Sequence, residues 1–513
     1  MGQIDDTSDA VVSEIFFFLE PTSHRGNIFK AWFHPLNPSR QGLPRLSATP
    51  WKSTIRLEAM AMPSDRSGLL RANLTVASGT ALSRLTGLVR IIVFGVVVGQ
   101  TALADAYDIA NNSPNVIYEL LLGGILTATL VPLFTRHMEE ADDESTNAII
   151  SFAIVALGAI TAIAIAGAPM IFRVFAINPA DGIDSQLFGQ AGTILTRLLL
   201  LQIFFYGVTS LCTSILHARR QFFAAAWTPV LANLVTIASL LLITRVSNVD
   251  PPTLDEVVGN PSLQWLLGMG STSGIIVMAV GMIVALRRND IKMRFRFDLS
   301  HPAVKGLLKL SGWSIGYIAA NQMALVVVKN LARPGSGDVD AYSKAYTFFS
   351  LPHGLLAVSI ATTFVPELAR AVAQNDKQQF NHKFSSGLKL TALVTVPASL
   401  VLVLFAKPIV QLLLQYGNFD SQAASNTARA LVGLGVGLSG FSIYLFVLRG
   451  FYSQGDTRTP FFINLFENFL NILFAVLLVK KYDVLGLGLA FSFAYLISSA
   501  VALYALRHKT KIY

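Results

Sequence analysis

Charge is scarce in this chain: Asp, Glu, Lys and Arg make up 13% of its 513 residues, while 53% are hydrophobic and the mean hydropathy is +0.55. Soluble domains carry about a quarter charged residues, so the polar surface here is too small to cover a water-exposed body. Cysteine is nearly absent as well. The single one, Cys212, excludes an internal disulfide and any cysteine-built metal site, and it reads as a small apolar residue inside a helix. Catalytic signatures are also missing, with no HExxH, no P-loop and no paired acidic motif in a large loop. A membrane enzyme of cell-envelope synthesis is therefore a remote alternative. The acidic run Glu139, Glu140, Asp142, Asp143, Glu144 reads as a solvated loop, and the GxG at Gly486 and Gly488 as helix packing.

What is present in quantity is apolar sequence in blocks long enough to cross a bilayer, which takes about 20 residues as helix. They run 73–99, 109–134, 148–175, 188–216, 225–245, 263–286, 305–331, 341–367, 386–415, 427–449, 460–479 and 484–506. The expectation is an all-α membrane protein of about twelve transmembrane helices. The net charge of +9 comes from residues between the blocks and calls for no nucleic acid. Even-numbered connections hold most of them, above all Arg287, Arg288, Lys292, Arg294, Arg296 and Lys305, and the end of the chain adds Arg507, Lys509 and Lys511. Basic residues concentrate on the cytoplasmic side, which puts these loops and both termini there. Residues 1–70 are rich in Pro, Ser, Arg and Asp and read as a cytoplasmic, disordered tail. Their apolar patch Ile15–Leu19 is too short to span and lacks the basic start of a signal peptide. Met60 and Met62 are alternative starts, which mass spectrometry of the native N-terminus would decide.

Similar words recur about the basic 287–305 stretch. Asp105-Ala106-Tyr107 precedes Val131-Pro132 as Asp340-Ala341-Tyr342 precedes Val365-Pro366; Pro169 answers Pro408, and Thr228-Pro229 with Asn233 answers Thr459-Pro460 with Asn464. Four matches in one order argue for duplication, giving an N-lobe over 71–290 and a C-lobe over 291–513. Six helices per lobe is even, so the lobes share one orientation about an axis along the membrane normal. Locally, Thr-Pro reads as an N-cap followed by a proline at the first helical position. Pro169 and Pro408 read as kinks that shape a cavity.

Charge inside the apolar blocks is costly and belongs in a cavity or against a partner. Arg84 and Arg90 lie within the first block, about 120° apart around the helix at 100° per residue. Gly87 between them permits close approach of another helix. Asp105 and Asp108 follow at the outer end, and Asn111, Asn115 and Glu119 recur every fourth residue as one polar stripe. Glu119 is a plausible partner for either arginine. In the second half Lys344 is the candidate cavity cation, whereas Lys329 reads as snorkelling to the interface. Arginine forks suit phosphate, so Arg84, Arg90 and Lys344 are the candidate ligands of an anionic head group, with Asp105, Asn111, Asn115 and Glu119 as polar partners. Asn464, Glu467, Asn468 and Asn471, with Asn321 or Gln322, present oxygens able to hold Na+ or a proton; interhelical hydrogen bonding is the plainer alternative. No metal site or cofactor is expected beyond such a coupling ion or the membrane potential.

The stretch Ser83–Pro132 resembles the first two helices of the MurJ/MviN family of lipid II flippases. Further matches are Leu351-Pro352-His353-Gly354 leading to Val365-Pro366, Gln415-Tyr416-Gly417-Asn418-Phe419, and Gly450-Phe451-Tyr452-Ser453 leading to Thr459-Pro460. The resemblance covers about residues 70–507. It implies the multidrug/oligosaccharidyl-lipid/polysaccharide exporter fold of two six-helix lobes in a bacterial inner membrane. It implies outward movement of lipid II, an undecaprenyl-pyrophosphate-linked disaccharide pentapeptide, by alternating access through a cationic cavity, alongside cell-wall synthesis proteins. By this resemblance Arg84 and Arg90 match arginines essential in the family, and Asp105 matches the family's aspartate. Another polyprenyl-linked oligosaccharide is the alternative cargo. Two departures stand out: Tyr118-Glu119 occupies the place of an Arg-Arg pair, and Thr347 that of an arginine, with Lys344 one turn earlier. Both make the cavity less basic and are similar to the branch of high-GC Gram-positive bacteria. Many members add two C-terminal helices forming a groove for the lipid tail.

Overall fold

The computed structural model describes residues 66–119, 124–140, 142–289 and 312–510. The chain forms two compact units, Met1–Leu74 and Thr75–Tyr513. In the first, residues 66–74 are described, and they are helical. The disordered tail expected upstream and the basic stretch 290–311 lie outside the described residues. Among the described residues of the second unit the regular elements are all helical.

Its first half contains α1 (Thr75–Val98), α2 (Ala102–Tyr118), α3 (Gly124–Glu139), α4 (Asp143–Ala166), α5 (Ala168–Phe175), α6 (Ser185–Leu199), α7 (Gln202–Ala218), α8 (Phe223–Val246), α9 (Leu254–Gly259) and α10 (Pro261–Arg288). Its second half contains α11 (Gly312–Leu331), α12 (Asp338–Pro352), a π-helical turn (His353–Ala357), α13 (Val358–Ala373), α14 (Lys377–Leu404), α15 (Ala406–Leu414), α16 (Ser421–Val436), α17 (Leu438–Ser453) and α18 (Arg458–Thr510). Among the described residues eight helices are long and apolar enough to cross a membrane, or nine when α16 and α17, bent by 45°, count as one span. The longest, α18, is broken at Asp483, whose φ of 50° and ψ of −131° leave the helical region. Large apolar side chains face outward: Leu231, Leu234, Leu241 and Leu242 on α8, Phe462, Phe466 and Phe469 on α18. Such patches are untenable in water but suit lipid. The chain is a multi-pass membrane protein.

Several helix starts follow from local chemistry. Thr101, Asp142, Asp184, Asn260, Asp376 and Asp420 each accept a hydrogen bond from an amide of the first turn that follows, supplying acceptors that the orphan N–H groups lack. The Thr-Pro expectation needs correction. α8 already begins at Phe223, so Pro229 lies inside it, and the Thr228 hydroxyl donates to the Ala224 carbonyl at 2.8 Å instead of capping. At Thr459 a helix does start, but the cap is Asp456, which accepts from the amides of Arg458 and Thr459 at 3.0 Å. Pro169 and Pro408 do not kink continuous helices either. Each sits in the first turn of a short new helix, α5 after Gly167 and α15 after Phe405. A further break separates α6 from α7 and another α16 from α17, so broken helices recur in the same order in each half.

Small residues let helices meet closely. A methyl on Gly274 of α10 would come 2.6 Å from the Ala232 carbonyl of α8, and one on Gly488 of α18 would come 2.8 Å from the Ala430 carbonyl of α16. Gly488 is thus a packing glycine, as its apolar setting suggests.

Candidate functional site

A cavity of about 700 Å³ lies between α1, α2, α11, α12, α17 and α18, so both halves of the chain build it. Arg90 enters from α1, Asn111, Asn115 and Glu119 from α2, Asn321 from α11, Lys344 from α12, and Glu467, Asn468 and Asn471 from α18. The four-residue spacing on α2 and the mixed three- and four-residue spacing on α18 place these groups on one helix face each. Three sequence-predicted residues do not line the cavity: Arg84 is exposed on α1, Asp105 is buried at one end of the bundle, and Asn464 lies behind Asn321. Asn233 of α8 donates to the Ser83 carbonyl and the Thr86 hydroxyl at 3.1 and 3.0 Å, holding this part of α1 in place, and packs against Gly87.

The charges arrange themselves differently from expectation. Glu119 accepts from Gln322 at 2.9 Å and pairs with neither arginine. Lys329 does not snorkel: it is 4% exposed and ion-paired with Asp108. The same Asp108 carboxylate accepts from Ser343 at 3.0 Å and from Asn112 at 2.8 Å. Lys344, also 4% exposed, is held by both oxygens of Asp340 one turn before it. The rings of Phe94 and Phe419 lie 5.1 and 5.3 Å from its ammonium, within cation–π range. Arg90 makes no ion pair among the described residues. Three cations, Arg90, Lys329 and Lys344, thus face four carboxylates, Asp108, Glu119, Asp340 and Glu467. The expected cationic cavity is therefore balanced, because each lysine brings its own aspartate.

On the α11–α18 side, Asn321 accepts from Asn464 and Asn468 at 3.1 and 3.0 Å. Glu467 is 1% exposed; the Tyr495 hydroxyl lies near its carboxylate, but neither carboxylate oxygen accepts a hydrogen bond of normal length and angle among the described residues. The amide oxygens of Asn464, Asn471 and Gln322 are in the same position. Buried oxygens without donors are costly, and a cluster of them attracts a cation or a proton.

One end of the cavity is shut by contacts between the two halves. Asp105 accepts from the amides of Gly335, Gly337 and Asp340, each at 2.8 Å, so a carboxylate from α2 caps the start of α12. In return Asn418 donates its backbone N–H to the Val96 carbonyl and its side-chain amide to the Val97 carbonyl, both at 3.0 Å, capping the end of α1. Gly417, at φ 56°, fits against Val96 with no room for a Cβ. Phe419 of the same turn is fully buried beside Lys344. Gln100 and Thr427 join the halves again at 3.0 Å.

Comparison with known proteins gives these features a context. A family model described as Lipid II flippase MurJ matches residues 95–513. The chain is 29% identical over 402 residues to the lipid II flippase MurJ of Burkholderia cenocepacia, covering 76% of this chain and 75% of that one. It is 26% identical over 426 residues to the probable lipid II flippase MurJ of Rhizobium meliloti, covering 82% and 77%. A solved lipid II flippase MurJ in an inward closed conformation superposes with a TM-score of 0.70 at 24% identity, covering 85% of this chain and 87% of that one. An inward-facing multidrug resistance transporter of the MATE family, in the MOP superfamily, superposes at 0.61 with 16% identity, covering 86% and 94%. The solved structures establish the fold, and the family model, matching most of the sequence, establishes that the chain belongs to the MurJ lipid II flippase family.

Proposed function

We propose that the protein moves lipid II from the inner to the outer leaflet by alternating access, with two six-helix lobes, 71–290 and 291–513, rocking about the cavity. The observation that carries this reading is Arg90, a guanidinium on a cavity wall with no carboxylate paired to it among the described residues. A forked cation of this kind suits a diphosphate. Lys344 and, at the approach to the cavity, Arg84 complete the anionic site, while Asn111, Asn115 and Glu119 present hydrogen-bonding groups to the sugars. The twelve crossings of this topology count α18 twice, about Asp483, and add α2–α3 and α11 to the long apolar helices. With both termini cytoplasmic, the shut end carrying Asp105 and Asn418 faces outward. The cluster of Asn321, Asn464, Glu467, Asn468 and Asn471 is the proposed seat of a coupling Na+ or H+. Depletion in the native host, followed by labelling of lipid II at the outer face, tests the function. Labelling is expected to collapse; undiminished labelling excludes the reading.

A further inference from the structure

Lys329 and Asp108 sit where cargo and gate meet. They belong to opposite halves of the chain, both line the cavity, and they are ion-paired there. Asp108 lies one turn from Asp105, whose carboxylate fastens the shut end, and its other bonds reach Ser343 on α12 and Asn112 on its own helix. An anion entering beside Arg90 finds both lysines already engaged. The two engagements differ. Lys344 is bound by an aspartate of its own helix, so releasing it breaks no ion pair between the halves and gives up only its contact with the Phe94 ring. Releasing Lys329 severs a bond between them.

We propose that Lys329 is a head-group ligand held in reserve by Asp108, and that its transfer from the carboxylate to the diphosphate of the cargo unfastens the outer gate. The inference rests on the flippase reading above. Lysine is suited to the exchange: it is a compact charge on a flexible stem, with three donors that can leave one oxygen for another. The bonds from Ser343 and Asn112 keep Asp108 satisfied once the ammonium has left, which lowers the cost of a buried carboxylate losing its partner. A neutral lipid has nothing to offer Lys329 and leaves the gate shut, so opening is tied to a correctly charged cargo. In thermodynamic terms the cargo binds better where Lys329 is free, and shifts the population by that difference.

The test uses the full chain in lipid nanodiscs with Cys212→Ala, Gln100→Cys and Thr427→Cys, so that disulfide formation between residues 100 and 427 reports a shut gate. Lipid II is the probe, and a neutral polyprenol the control. Lipid II, but not polyprenol, is expected to lower cross-linking about tenfold, a change within the coupling measured for close charge pairs at interfaces. In Asp108→Asn cross-linking is already low, and lipid II adds nothing. Lys329→Gln keeps a donor in place of the ammonium and guards against a folding defect; its cross-linking no longer responds to lipid II. If Lys329→Gln responds as the parent does, or if the parent transports lipid II with cross-linking indifferent to it, the inference is overturned and the flippase reading stands. A parent that transports no lipid II overturns that reading and the inference with it.

Discussion

Arg84 and Arg90 share α1 but meet different surroundings: the first is exposed, the second faces the cavity. Arg90→Ala is expected to weaken lipid II binding by about tenfold to a hundredfold, the range of a lost hydrogen bond to a charged group. Arg84→Ala should cost about threefold or less, as rim charges do; titration of lipid II against the purified variants separates the two. Asp456 offers a different test, outside the spans. Burial pushes its carboxyl up, but the Lys509 ammonium and the Thr459 hydroxyl and amide outweigh it and bring the group down to about 2. Its folded value lies below the ordinary aspartate value of about 3.9, so the stability it contributes is complete above pH ~4 and fades as pH falls toward 2. Thermal unfolding in detergent should show Asp456→Asn less stable than the parent at pH 7, with the gap closing over that acid window. Sequence spacing carried part of this scale. Asp340 and Lys344 are four apart, an interval that permits pairing, yet the sequence reads Lys344 as a cavity cation without its aspartate. Asp108 and Lys329 are 221 residues apart, and nothing local announces them.

At the scale of elements, the closed end depends on helices capping one another across the halves. Asn418→Ala removes the donor to the Val97 carbonyl while leaving the backbone bond to Val96. A lost hydrogen bond of about 1 kcal/mol should raise the reactivity of Thr427→Cys toward a membrane-impermeant maleimide about fivefold; unchanged reactivity would remove Asn418 from the gate. The Gln415–Phe419 motif was visible in the sequence, but its purpose was not, since a cap supplied from another part of the chain leaves no local periodicity. Hydropathy located the helices well and their breaks poorly. The gaps at Gly167, Phe405 and Gly437 turn the backbone to ψ of 5°, 13° and −3° without interrupting apolar sequence. Pro229 misled for the converse reason: neighbouring helices tolerate a proline that local rules place at a helix start.

For the molecule as a whole, charge balance is the governing quantity. The lining charges nearly cancel, so a diphosphate entering the cavity leaves it strongly negative. A cation or proton at Glu467 would offset part of that, and the two ligands should then assist one another equally, as linkage requires. Glu467→Gln is expected to abolish the cation dependence of lipid II binding, measured by titration across Na+ concentration and pH; a variant whose dependence matches the parent would dismiss the coupling. Composition made a membrane protein legible, and repeated words suggested paired lobes, but the near-neutral cavity was beyond reach because it depends on which charges meet. One detail of the shut end has a wider reach. Asp105 grips main-chain amides, not side chains, in the turn that begins α12. That grasp is blind to what the turn's residues carry outward, provided the path through Gly335 and Gly337 survives. A screen for leaky variants should accordingly recover hits at position 105 and at the two glycines, while Ser336 between the glycines drifts with little consequence.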